Sequence, residues 1–203
     1  MEKRPVIGVL LDYEASGSFS KRPHYALRTA YFEAVWKAGG LPMGLPYLEE
    51  ARADYLDAVD GLIVPGGFYP FPAEVYGRAP DGGQVHPRYA FERDLMTDAL
   101  GRDLPTLGIC AGMQVMAVAR GATIWDDIAQ ELDCAVDHLN EKPAEETAHT
   151  GAIEARTRLF EIAGKTEIAV NTAHNEALRD IPGGITVSAK APDGIVEAIE
   201  LPD

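Results

Sequence analysis

The chain has 203 residues, of which 46% are apolar and 25% are charged, so it can bury a full core and form one domain over residues 1–203. Its 32 acidic and 18 basic side chains give a formal net charge of -14, and no cationic cluster offsets it. This balance excludes nucleic acids and anionic membrane surfaces as expected partners. The sequence shows no secretory signal and no apolar stretch long enough to span a bilayer, which predicts a cytoplasmic protein.

The first 121 residues alternate apolar strand-like runs with helical patterns, which predicts a parallel, doubly wound sheet. The strands are predicted over 5–11, 41–48, 61–67 and 104–110, and the helices over 24–40, 49–60, 88–103 and 111–121. The long loop 68–87 is rich in Pro, Gly and aromatic residues, and loops of this length are typically functional or disordered. Downstream, short β-branched segments separated by Gly, Pro and Asn predict antiparallel or mixed strands.

The segment LGICAGM leads a predicted strand through a tight turn into a helix, with Cys110 at the turn. Gly108 and Gly112 flank the cysteine at i−2 and i+2, the small-residue pattern that a sharp strand-to-helix turn needs. The positive end of the following helix favours a thiolate at Cys110. The alternative is a cysteine that serves only as a small buried apolar residue.

A second motif, LIVPGG over 62–67, ends a predicted strand in two glycines, Gly66 and Gly67. Backbone N–H groups at such a turn can face a developing oxyanion. The other cysteine, Cys134, lies in no comparable pattern, and two cysteines predict no disulfide framework. The spacing of cysteines and histidines matches no zinc signature, so no metal and no cofactor are expected.

These motifs, with the blocks YFEAVWKAGGLPMGLP, ERDLMTDALGRDLPTLGICAGMQ and VNTAHNEAL, resemble the class I glutamine amidotransferase superfamily. Within it the likeness is closest to the gamma-glutamyl-gamma-aminobutyrate hydrolase family, the C26 peptidases. The resemblance implies a flavodoxin-like three-layer α/β/α fold with a mostly parallel central sheet and antiparallel additions in the C-terminal half. It also implies hydrolysis of a small-molecule gamma-glutamyl amide through a thioester, and it allows a homodimer.

The resemblance assigns a role to each matching residue. Cys110 is the nucleophile, the backbone N–H groups of Gly67 and Ala111 form the oxyanion hole, and Gln114 faces the glutamyl group. His174 and Asn175 lie in the segment that holds the amino-acid end of the substrate.

The sequence departs from the family pattern beside the nucleophile and at the base. Ala111 replaces an arginine. The family commonly carries an aspartate two residues after Pro-Gly-Gly, whereas Phe68 and Tyr69 make that rim aromatic here. The family base lies in a His-Pro-Glu triplet on a late strand, and none of the five histidines lies in such a triplet.

Three explanations of the missing triplet stay open. The chain lacks a C-terminal strand and helix, or the protein is a non-catalytic relative, or another histidine is the base. The candidate for that last role is His174, with Glu176 orienting it, because His-x-Glu spacing places two side chains on one side of an extended segment. The remaining histidines are predicted to be loop or surface residues, and Glu197 to lie on a solvated strand face; these histidines are His24, His86, His138 and His149.

The sequence therefore predicts a cysteine-dependent hydrolase of gamma-glutamyl amides. Two alternatives share the same residues. One is a glutaminase subunit that supplies ammonia to a synthase partner, and the other is a catalytically silent protein that binds gamma-glutamyl compounds or amino acids.

Overall fold

The computed structural model describes residues 3–143 and 145–201, and its backbone divides into two compact units. The first unit covers the chain up to Pro72 together with Gly83–Ala119. The second unit covers Ala73–Gly82 together with the chain from Arg120 onward. Within the described ranges, no helix combines the length and the apolar character that crossing a bilayer requires. The prediction of one domain over residues 1–203 stays a prediction.

A parallel sheet with flanking helices makes up the first unit. In chain order its elements are β1 (Val6–Leu10), β2 (Asp12–Glu14), β3 (His24–Ala26), α1 (Thr29–Lys37), β4 (Leu41–Leu45), α2 (Arg52–Ala58), β5 (Gly61–Val64), α3 (Pro87–Gly101), β6 (Thr106–Gly108) and α4 (Ala111–Val118). The parallel strands follow the order β4-β1-β5-β6. Val9, Leu10 and Val64 are fully buried, as expected for apolar strands covered on both faces.

The helix predicted over 24–40 begins later than its pattern indicated. His24–Ala26 is a strand that pairs antiparallel with Asp12–Glu14, and α1 begins only at Thr29. Tyr13 and Tyr25 lie directly opposite in this pair with their ring centroids 5.9 Å apart. Cross-strand aromatic pairs of this kind stabilise a hairpin, which explains why the segment is not helical.

An antiparallel sheet dominates the second unit. Its elements are a 3-10 turn (Ala73–Tyr76), β7 (Ile124–Trp125), α5 (Ile128–Glu131), β8 (His149–Ile153), α6 (Arg158–Ala163), β9 (Glu167–Val170), β10 (Ala177–Leu178), β11 (Thr186–Lys190) and β12 (Val196–Glu200). The larger sheet has the order β12-β11-β8-β9, and β10 pairs with β7. A small core packs Ile128 and Ala177 against Ala191 and Ile195.

The predicted fold class is confirmed: a parallel α/β sheet in the N-terminal half is followed by antiparallel strands in the C-terminal half. The short helix α6 was not predicted, although its boundaries carry recognisable signals. The hydroxyl of Thr157 accepts from the N–H of Phe160 at 3.1 Å, and Gly164 ends the helix with φ of 63°.

Candidate active site

Cys110 lies in the turn between β6 and α4, as the strand-turn-helix pattern predicts. Its backbone has φ of 52° and ψ of -111°, a region that a residue with a side chain rarely adopts. Such a conformation costs free energy and persists only where the surrounding structure enforces it. The half-buried thiol is therefore held in a strained elbow at the start of a helix.

The glycines that flank the cysteine are required by close backbone contacts. A Cβ atom on Gly112 would lie 2.1 Å from the carbonyl oxygen of Val64, and one on Gly108 would lie 2.5 Å from the carbonyl carbon of Gly112. The same Val64 oxygen accepts the N–H of Ile109 at 2.9 Å, directly before the cysteine. The predicted reason for glycine at both positions is thus confirmed by the packing of the elbow on β5.

The Pro-Gly-Gly turn that follows β5 packs directly against Cys110. A Cβ atom on Gly66 would lie 3.0 Å from the Cβ atom of Cys110 and 3.7 Å from its sulfur. At the next residue, Gly67, the guanidinium of Arg88 occupies the position where a side chain would lie. Its Nη1 atom would be 2.1 Å from an added Cβ. Ala111 is buried at the first position of α4, where helix amides have no partner within the helix. The structure therefore brings together Cys110, the glycine turn and the start of α4.

Arg88 orients the peptide groups of this turn, a role that the sequence did not indicate. Its Nη2 atom donates to the carbonyl of Pro65 at 2.7 Å and to the carbonyl of Gly66 at 3.1 Å. In a trans peptide the carbonyl and the following N–H point in opposite directions. The N–H groups of Gly66 and Gly67 are thus turned away from Arg88.

A buried ionic network fixes Arg88 in turn. Arg88 is 1% exposed and donates to Glu92 at 2.6 Å, while Asp12 lies 3.1 Å away. Burial lowers the pKa of Arg88, but Glu92 and the neighbouring groups outweigh it and raise the pKa above its ordinary value. Tyr69 donates its hydroxyl to Glu92 and is buried, so the prediction that Tyr69 forms an aromatic rim is wrong. Phe68, in contrast, is 67% exposed.

Gln114 is buried on the elbow helix, where its N–H donates to the carbonyl of Cys110 at 3.1 Å. Its predicted contact with a glutamyl group stays a prediction.

In the second unit, His174 contacts Glu176 through the main chain rather than through the carboxylate. His174 Nδ1 lies 2.9 Å from the carbonyl oxygen of Glu176, whereas the Glu176 carboxylate accepts from the hydroxyl of Tyr76 at 2.7 Å. Burial raises the pKa of Glu176 to about 7, although the Tyr76 hydrogen bond opposes this. The carboxylate nearest the His174 ring is that of Glu197, 3.5 Å from Nε2.

Glu197 lies in a cluster of histidines, so its predicted place on a solvated strand face is wrong. Its Oε1 atom lies 3.3 Å from His138 Nδ1 and 3.5 Å from His149 Nε2. His138 lies in a loop, as predicted, although its side chain is only 1% exposed. His149 begins β8 with its side chain 4% exposed, so its predicted loop or surface position is wrong. Burial raises the pKa of Glu197, but His174, His138 and His149 more than offset it and keep the carboxylate charged.

The other two histidines lie in the first unit. His24 lies in β3 with its Nε2 atom 3.3 Å from Glu14. His86 caps α3, where its Nδ1 atom accepts from the N–H of Arg88 at 3.3 Å.

A cavity of about 640 Å³ opens in the second unit beside the histidine cluster. It is lined by residues 127–129 and 132–139 together with His174 and Asn175. Asn175 is tied down here: its side chain donates to the carbonyl of Asp126 at 3.4 Å, and its own carbonyl accepts from the N–H of Ile128 at 2.8 Å. The predicted substrate-binding role of Asn175 stays a prediction.

Comparison with known proteins places the chain among relatives of known fold. The chain is 30% identical to a glutamine amidotransferase-like protein of Rickettsia prowazekii, over 98% of this chain and 87% of that protein. It is 28% identical to the gamma-glutamyl-gamma-aminobutyrate hydrolase of Escherichia coli O157:H7, over 97% and 80%. The crystal structure of a glutamine amidotransferase from Thermotoga maritima matches with a TM-score of 0.62 at 15% identity, over 98% of this chain and 72% of that chain.

This structural match and the parallel sheet of the chain are consistent with the flavodoxin-like α/β fold that the sequence predicted. The model of the peptidase C26 family matches residues 5–203. The chain therefore belongs to the peptidase C26 family and is a hydrolase of the glutamine amidotransferase type.

Proposed function

We propose that this protein hydrolyses the amide bond of a small gamma-glutamyl compound, with Cys110 as the nucleophile. The observation that carries the proposal is the strained elbow, which holds Cys110 with φ of 52° at the start of α4 and against the Pro-Gly-Gly turn. A strained nucleophile at a strand-to-helix turn is the arrangement that acyl-transfer enzymes use to expose an attacking atom. The positive end of α4 favours negative charge on the sulfur.

In the first half of the proposed reaction the Cys110 sulfur adds to the gamma-carbonyl carbon. The oxygen that becomes negative is stabilised by the N–H groups of Gly67 and Ala111, with Gly66 completing the turn. The C–N bond then breaks, the amine leaves with a proton, and a glutamyl thioester remains on the cysteine. Water cleaves the thioester in the second half, which releases glutamate and restores the thiol.

Arg88 supports this chemistry as a positioning residue. It holds the carbonyls of Pro65 and Gly66, so the N–H groups on the opposite sides of those peptides keep their direction before a substrate arrives. Donors that are already oriented need no reorganisation during the reaction, which makes their stabilisation of an oxyanion effective.

The gamma-glutamyl specificity is part of the proposal. It is supported by the similarity to the Escherichia coli gamma-glutamyl-gamma-aminobutyrate hydrolase. The identity of the base that takes the thiol proton stays a prediction.

The test is to incubate the protein with a panel of gamma-glutamyl amides that includes glutamine and gamma-glutamyl-gamma-aminobutyrate. Hydrolysis is measured as the release of glutamate. Cys110→Ala should abolish turnover, whereas Cys134→Ala should retain it, and the second variant controls for general loss of a thiol. Ligand-induced thermal stabilisation without cleavage of any amide would instead identify a silent binding protein. Turnover that survives in Cys110→Ala would refute the proposed nucleophile.

A further inference from the structure

Four side chains of the second unit point ring nitrogens or a carboxylate oxygen at one another. The ligand atoms of His138, His174 and Glu197 all lie within 4.8 Å of one another. The Nε2 atom of His149 lies 3.5 Å from the same Glu197 oxygen. These atoms are His138 Nδ1, His149 Nε2, His174 Nε2 and Glu197 Oε1, and each is shielded from solvent and makes no hydrogen bond to the described residues.

The outer nitrogen of each histidine faces an acceptor. His138 Nε2 lies 3.0 Å from the carboxylate of Asp193, and His149 Nδ1 lies 2.9 Å from the carbonyl of Thr150. A carbonyl or a carboxylate can only accept, so these outer nitrogens carry the hydrogen.

His174 has the same arrangement, because its Nδ1 atom lies 2.9 Å from the carbonyl of Glu176. In the neutral form of each ring the inner nitrogen is therefore a bare lone pair aimed into the cluster. This is the tautomer and the outer hydrogen bond that metal-binding histidines show, including a carboxylate–histidine pair at His138.

Protonation does not satisfy this cluster. One added proton turns one histidine into a donor toward Glu197 and leaves two nitrogen lone pairs facing a carboxylate oxygen at 3.3–3.5 Å. Three added protons would instead place three buried positive charges beside only two carboxylates, Glu197 and Asp193, at a high cost in desolvation and repulsion. A divalent cation held by His138, His174 and Glu197 satisfies three of these atoms at once.

We propose that His138, His174 and Glu197 form a binding site for a divalent transition-metal ion of the Zn²⁺ class. Imidazole and carboxylate ligands suit Zn²⁺, which prefers four ligands in a tetrahedron. Metal–ligand distances of about 2.0–2.1 Å require ligand atoms about 3.3–3.4 Å apart. The Glu197 oxygen lies 3.3 Å from His138 Nδ1 and 3.5 Å from His174 Nε2, close to that edge length.

Three protein ligands leave the fourth position of a tetrahedral ion for a water molecule. The protein ligands come from a loop at His138, the loop at His174 and strand β12. The ion would tie these segments together within the second unit. The cavity beside His138 and His174 gives the ion a path from solvent.

The site also decides between two roles for His174. A metal ligand has no free lone pair, and the other nitrogen of His174 already faces the carbonyl of Glu176. His174 bound to the ion therefore cannot act as the general base for Cys110.

The test is metal binding by the full chain without any substrate. The purified protein is stripped with a chelator and titrated with Zn²⁺ against a chromogenic competitor, and we expect one ion per chain. Replacement by Co²⁺ should give the intense visible bands of a tetrahedral site. His174→Ala and Glu197→Gln should lose stoichiometric binding, and Asp193→Asn should weaken it by about 10–100-fold through the orientation of His138.

His24→Ala is the matched control, since His24 pairs with a glutamate in the first unit, and it should bind Zn²⁺ like the wild type. Equal binding in the wild type and in Glu197→Gln would overturn the proposal, as would a wild type that takes up no ion after stripping. If a ligand variant fails to fold, the Co²⁺ spectrum of the wild type and a saturable rise of its melting temperature with Zn²⁺ decide the question. Cys110→Ala should keep the ion, which separates this site from the proposed hydrolysis.

Discussion

Replacing Gly112 with alanine tests whether the elbow depends on close contact between α4 and β5. The new methyl carbon would lie 2.1 Å from the carbonyl oxygen of Val64 and 2.9 Å from its carbonyl carbon. The closest usual approach of a carbon to a carbonyl oxygen is about 3.3 Å, so the two backbones must separate by about 1.2 Å. The two Val64 atoms belong to the backbone of β5, and the new methyl carbon is fixed to the backbone of α4. Rotation of a side chain therefore cannot relieve the clash.

This displacement reaches the cysteine through one hydrogen bond. The Val64 oxygen accepts from Ile109 at 2.9 Å, and Ile109 precedes Cys110. We expect a loss of about 3 kcal/mol in the free energy of unfolding, the upper part of the range for overpacking. A misplacement of about 1 Å should also lower kcat/KM for a gamma-glutamyl amide by about 100-fold.

Urea denaturation measures the loss of stability, and the rate of alkylation of Cys110 by iodoacetamide measures the geometry without a substrate. Gly101→Ala is the control, because Gly101 ends α3 and an added Cβ there meets nothing within 4 Å. It should stabilise the protein by about 0.5–1 kcal/mol. If Gly112→Ala matches Gly101→Ala in both stability and alkylation rate, the close contact does not shape the elbow.

Three further outcomes are expected. Arg88→Met should lower the free energy of unfolding by about 3–5 kcal/mol, measured by urea denaturation, because it leaves the Glu92 carboxylate buried without its partner. The double variant Arg88→Met/Glu92→Leu should recover most of this loss. Burial and the charge of Arg88 hold the pKa of His86 below its ordinary value, so stability should fall as the pH drops below about 6.5, and His86→Gln should flatten this fall. Burial, with Asp193 and Asp133, raises the pKa of the Cys134 thiol, so Cys134 should react with iodoacetamide more slowly than a model peptide thiol.

The elbow was predictable because its signals are local. Gly108, Cys110 and Gly112 lie within five consecutive residues between a strand pattern and a helix pattern, and the packing restrictions act at that same place. The parallel and antiparallel halves were predictable for a similar reason, since the spacing of apolar residues changes along the chain. Boundaries were less accurate where tertiary pairing competed, as in the hairpin at His24–Ala26.

Arg88 was missed because an arginine four residues before a glutamate on a helix ordinarily indicates an exposed ion pair. Here both side chains are buried, and burial of that helix face depends on the loop and on the sheet packed against it. The sequence pattern shows that Arg88 and Glu92 can pair, but it does not show which residues bury them.

The histidine cluster was missed for a different reason. Rules for metal sites compare ligands close in sequence, whereas His138, His149, His174 and Glu197 come from four separated segments that meet only after the second unit folds. The alternation around Glu197 indicated a solvated face of β12. The rings of three histidines shield Glu197 from solvent, and strand periodicity alone cannot predict that side chains from other segments do so.

The most direct test of the central claim is the mass of the protein during turnover. Cys110 should carry one glutamyl group when the protein is mixed with a gamma-glutamyl amide and quenched in acid, and peptide mapping should place the adduct on the Cys110 peptide and not on the Cys134 peptide. Release of glutamate with Cys110 unmodified at every time sampled, and at an undiminished rate in Cys110→Ala, would contradict the account.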